Sequence, residues 1–176
     1  MRNIGRELAK HWAAQGLAAR SGNSKEEVRR FEEIHNVRLP SDLRDYLLFV
    51  DGMNQHSITD YHDSNGFAFW PLSKIRSAAE ELAGKPEGYW DFPNRDALYV
   101  FADYMDWSWA YAILLSKDPS EGSPVFVLGM AESPSIRVAN SFHEFVELYL
   151  ADSRSLYEPP QESVDESITH GGEGGT

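Results

Sequence analysis

Residues 24–52 read SKEEVRRFEEIHNVRLPSDLRDYLLFVDG, and their spacing decides the fold class. Ser24 and Glu27 form a capping box: the serine oxygen accepts the third backbone N–H, and the glutamate reaches back to the cap. Val28, Phe31 and Ile34 follow as an apolar helical stripe. Leu39-Pro40 forces an extended link, because a residue preceding proline is pushed out of the helical region. Ser41 is the expected cap of the next helix, in which Leu43, Tyr46, Leu47 and Val50 share a face until Asp51-Gly52 stops it. This is a helical hairpin.

Outward from the hairpin, the pattern splits. Towards the N-terminus, Ile4, Leu8 and Trp12 lie four apart on one helical face, and Trp12 is expected to pack that helix onto the body. Towards the C-terminus, Phe67-Ala68-Phe69-Trp70 reads as a short strand closed by Pro71, and Ser73 as the cap of a helix through Ile75, Ala78 and Leu82. Leu98 to Tyr104 and Trp107 to Leu115 are the strongest strand signals, joined by a hairpin at Met105-Asp106. Val125 to Met130 and Ile136 to Ala139 supply two more strands. Ser141 and Glu144 repeat the capping box ahead of a closing helix striped by Phe142, Phe145, Val146, Tyr149 and Leu150. Helices, then mostly antiparallel strands, then a helix make an α+β fold. The expected division is an N-terminal helix and link over 1–23, a body over 24–151 and an acidic, Gly-rich, mobile tail over 152–176.

Composition narrows the function. There is no cysteine, so disulfides, thiol nucleophiles and thiolate metal sites are excluded. No apolar run is long enough to span a bilayer, and the N-terminus lacks a signal-peptide core, which leads to the expectation of a cytoplasmic protein. The net charge of −12 repels nucleic acid and anionic membranes and favours a basic protein partner, although solubility alone would also account for it.

Catalytic motifs are broken or absent. His143-Glu144-x-x-Glu147 has glutamate where a zinc protease places its second histidine, and Glu144 already serves as a helix cap. His56, Asp60, His62 and Asp63 form the best metal-like cluster, but a polar loop of this composition needs no metal. Asp103 and Asp106 are equally a carboxylate pair or turn aspartates. Neither a nucleophile elbow nor a phosphate-cradling glycine loop occurs, so no metal or other cofactor is expected. Of the five tryptophans, Trp70, Trp107 and Trp109 read as core; Tyr89-Trp90-Asp91-Phe92 is a loop cluster that fits an exposed interface hot spot and a loop folded onto the core equally well.

The run from Glu26 to Leu48, then Leu39-Pro40, Asp51-Gly52 and Phe67-x-Phe69-Trp70-Pro71-Leu72 in that order, resembles the SUKH superfamily over residues 24 to 150. That superfamily includes the fungal Smi/Knr cell-wall regulators and bacterial immunity proteins. The resemblance implies an α+β fold, no catalytic activity, and neutralisation of a toxin by direct binding; a regulatory scaffold with a cellular client is the alternative. A metal-dependent enzyme built on the His56–Asp63 cluster is the third. Charge and loop placement make Asp60, Tyr61, His62, Asp63, Tyr89, Trp90, Asp91, Asp103, Tyr104 and Asp106 the expected contacts with a basic toxin domain.

Overall fold

The computed structural model describes residues 3–54, 62–85, 93–118, 122–130 and 133–158. Its helical layer contains α1 (Ile4–Ala14), α2 (Lys25–His35), α3 (Ser41–Phe49) and α5 (Phe142–Leu150). Asn3 caps α1 by accepting the N–H of Arg6, and both bonds of the Ser24–Glu27 capping box are formed at α2. Asn36, in the left-handed region at φ 54°, ends α2.

The sheet layer holds β3 (Phe67–Phe69), β4 (Arg76–Ser77), β5 (Leu98–Tyr104), β6 (Trp109–Leu114), β7 (Val125–Met130) and β8 (Ser133–Ala139). The order β3-β5-β6-β7-β8 is antiparallel throughout, with β4 also pairing β5. A separate ribbon pairs β1 (Ala19–Ser21) with β2 (Val50–Met53). The architecture is α+β, as the element order in the sequence implies. Among the described residues no helix is long and apolar enough to cross a membrane.

One core lies between the layers. Phe69 meets Trp12 and Tyr149 at ring distances of 5.3 and 4.9 Å, and Phe101 meets Phe142 and Phe145 at 5.4 and 5.1 Å. Ile4, Leu8 and Trp12 of α1 are buried in this same cluster. Gly52, at φ 73°, lets β2 pass so close to Trp70 that a Cβ would lie 2.6 Å from its carbonyl carbon. Beside it, the buried Asp51 accepts from Asn23 Nδ2 (2.8 Å) and the Leu72 N–H (2.6 Å), tying the ribbon to the sheet.

Four local expectations are corrected. Pro40, not Ser41, holds the cap position of α3, and Asp42 instead accepts the N–H of Leu43 at 2.9 Å. Ser77, not Ser73, caps α4 (Ala78–Glu81), because Arg76 and Ser77 are first held as a strand on β5. Asp51-Gly52 lies within β2 instead of ending α3. Ile34, expected on the apolar stripe of α2, is 67% exposed.

Candidate protein-docking site

The β5–β6 hairpin and the segment entering β3 build the site. Cross-strand partners share a face, so Ala68, Asp103, Ala110 and Leu128 lie together on the face of the sheet opposite Phe67, Phe69 and Tyr111. Small alanines on either side of Asp103 leave space for an indole. Trp70 Nε1–H donates to Asp103 Oδ2 at 2.6 Å, and Trp70 packs on Trp107 at 5.9 Å. The ammonium of Lys74 stands 3.8 Å from the centroid of the Trp70 ring and 4.0 Å from Asp103 Oδ2. Burial pushes the Lys74 amine below its ordinary value, and the charge of Asp103 opposes that shift.

Above this buried group the hairpin turns in an unusual way. Met105, Asp106 and Trp107 all adopt left-handed backbone, at φ 44°, 52° and 67°, and none is glycine. Such residues are each strained by about 1–3 kcal/mol and persist only where their surroundings hold them. Gly66 O accepts the Met105 N–H at 2.9 Å, Tyr104 O accepts the Ser108 N–H at 2.9 Å, and His62 Nε2 accepts the Asp106 N–H at 3.0 Å. His62 also lies 3.6 Å from Asp103 Oδ1 and 3.7 Å from Asp106 Oδ1. The result is a fixed tip whose Met105 is 57% exposed and whose Asp106 side chain is 85% exposed.

Asp63 anchors the segment that delivers His62. Its Oδ1 accepts the N–H groups of Asn65 (2.9 Å) and Phe67 (2.8 Å), and its Oδ2 accepts the hydroxyl of Tyr149. Tyr149 in turn accepts the Trp12 Nε1–H at 2.9 Å. Burial first, and the Asp63 charge second, push the Tyr149 phenol far above its ordinary value, so it remains a donor.

The expected contact residues therefore divide. His62 and Asp106 meet near the surface, whereas Tyr104 is half-buried and stacked on Trp109 at 4.2 Å. Asp63 and Asp103, expected as contacts, are 6% and 0% exposed and cannot reach a partner directly. Their carboxylates hold the segment and the tip from behind. Asp60, Tyr61, Tyr89, Trp90 and Asp91 lie outside the described residues, as does His56. Among the described residues no group of three or more His, Asp and Glu side chains is arranged to hold a metal ion. Ser141 caps α5 by accepting the Glu144 N–H at 3.1 Å, and Glu144 Oε2 is taken up by the Asn140 N–H at 2.7 Å.

Sequence reasoning missed Lys74, Met105 and the polar role of Trp70. One signal was available: Asp103 interrupts the otherwise apolar Leu98–Tyr104 run, and a carboxylate inside a buried strand requires donors.

The model of the SMI1 / KNR4 family (SUKH-1) matches residues 22–148 of this chain. Comparison with curated proteins finds no match.

Proposed function

Because this chain belongs to the SMI1 / KNR4 family (SUKH-1), we propose that it is a non-catalytic binding module that neutralises a basic toxin domain in the cytoplasm by clamping it. The observation that carries the reading is the tip at Met105-Asp106, held in strained backbone and presented to solvent. A contact fixed before encounter loses little freedom on binding, which favours tight association. The proposed contacts are His62, Tyr104 and Asp106, together with Met105, and with Asp60, Tyr61, Tyr89, Trp90 and Asp91, whose charge and aromatic character suit a basic partner. Asp63 and Asp103 act as supports.

The charge of −12 supports a basic partner. Complementary fields raise association to about 10⁸–10⁹ M⁻¹s⁻¹, and an antidote gains from speed because free toxin acts before equilibrium. A scaffold with a cellular client would also suit the family, but it would have no such need for rapid capture.

The test is stopped-flow association with a basic toxin domain encoded beside this gene. Asp60→Lys combined with Asp106→Lys is expected to slow capture at least about tenfold and flatten its salt dependence. Unaltered kinetics would remove the tip from the interface. Absence of any toxin gene nearby, with a client recovered instead, would favour the scaffold.

A further inference from the structure

A second feature lies at the other end of the helical layer. The C-terminal end of α1 reaches the site through Gln15 Oε1, which accepts the Ser64 N–H at 2.8 Å, and that of α5 through Tyr149. The N-terminal ends of both helices instead border a cleft of about 350 Å³ beside α3, lined by Ile4, Asp42, Asp45, Leu48, Phe49 and His143. An 11-residue helix such as α1 is about 16 Å long, which separates the cleft from the tip. Phe49 is 39% exposed there, its ring lying 5.9 Å from the Arg6 guanidinium. Gly5 lets the two helices close on it, since a Cβ at Gly5 would lie 3.0 Å from Phe49 Cβ.

Three helices begin at this cleft, and helix N-termini attract anions. The chain satisfies that demand itself. Asn3 Oδ1 accepts the Arg6 N–H at 3.0 Å. Asp42 accepts the N–H of Leu43 through Oδ1 at 2.9 Å and that of His143 through Oδ2 at 2.8 Å, so one carboxylate serves α3 and α5 together. Asp45 is different. It is exposed, and its carboxylate makes no hydrogen bond or ion pair with any described residue. An apolar floor with one uncommitted carboxylate is the complement of a long aliphatic side chain ending in a cation.

We propose that this cleft docks an arginine or lysine of a partner protein, its stem lying on Ile4, Leu48 and Phe49 and its head group meeting Asp45. The inference rests on the reading of the chain as a protein-binding module, but not on the hairpin tip. A second copy of the chain would bring another −12 charge against the first, and an acidic segment would meet Asp45 and Asp42. A basic residue alone matches both the floor and the rim.

Titration of the ¹⁵N-labelled full chain with a blocked Leu-Arg-Leu-Arg tetrapeptide, followed by NMR, tests this. Shifts are expected at Asp45, Leu48, Phe49 and His143, with none from a matched Leu-Glu-Leu-Glu peptide. Asp45→Asn, a surface change that leaves the core intact, should weaken binding about tenfold. Phe49→Ala should weaken it about fivefold, with circular dichroism establishing that it folds. The proposal falls if both peptides shift the same resonances, if neither does, or if Asp45→Asn binds like the parent. Cleft resonances that move with protein concentration alone would mean self-association and would also overturn it. The tip is tested separately, by the capture kinetics above, so either reading can fail without the other.

Discussion

Glu32 shows how a single charge holds two helices and the sheet together. It is 6% exposed on α2, and its Oε1 accepts the Leu39 N–H at 2.8 Å and Arg44 Nη2 at 2.5 Å, while Arg38 lies 3.5 Å from Oε2. Arg38 also donates its backbone N–H to Ser116 O at 2.8 Å, which carries the link onto the sheet. Burial alone would raise the Glu32 carboxyl, but the Leu39 N–H and the two guanidinium groups outweigh it and bring it below 4.5. A carboxyl lowered in the folded state contributes stability that is complete above its unfolded value and disappears as pH falls through its folded value. Glu32→Gln is therefore expected to reduce stability by about 2 kcal/mol at pH 7, with the gap between variant and parent closing below about pH 4.5. Urea unfolding at pH 7 and pH 3 measures this, and a gap of constant size would refute the linkage. The sequence placed Glu32 on the hairpin without giving it a role. Helical spacing locates a side chain on a face, whereas its partners at Leu39 and Arg44 depend on how α3 folds back.

At the scale of elements, the periodic stretches and the place of the β5–β6 hairpin were legible, but the backbone of its turn was not. The capping box at Ser24 and the apolar stripe of α5 follow from local spacing, and the structure has them where the sequence puts them; at Ser141 only half of the expected box forms, the serine accepting the Glu144 N–H while Glu144 turns to Asn140. The Met105–Trp107 turn has no glycine, asparagine or other left-handed signal at two of its three positions, so its backbone is imposed by the strands and by His62 rather than by its own residues. That imbalance has a measurable consequence. Met105→Gly should remove side-chain strain and stabilise the fold by up to about 1 kcal/mol. The same change loosens the tip and is expected to slow neither folding nor diffusion but to hasten release of the partner. Thermal unfolding together with dissociation kinetics checks both halves. A variant that is less stable and binds equally well would show that the turn carries no stored strain and no preorganisation.

For the whole molecule, the N-terminal helix decides how much chain the fold requires. The family match begins at residue 22, and the sequence alone sets the first helix apart from the body. In the structure Ile4 is 5% exposed and Leu8 and Trp12 are fully buried, and the Trp12 indole closes the hydrogen-bonded path through Tyr149 to Asp63. Burying each such side chain contributes roughly 1.5–3 kcal/mol, so three of them approach the 5–15 kcal/mol (roughly) by which a whole domain is stable. β1 would be lost with α1 and would leave β2 without its ribbon partner. A chain starting at Gly22 is accordingly expected to lose cooperative unfolding, and with it the anchor of the segment that brings His62 to the hairpin tip. Calorimetry decides the matter: a sharp transition in the truncated chain, within a few degrees of the full-length midpoint, would mean that α1 decorates the fold instead of completing its core.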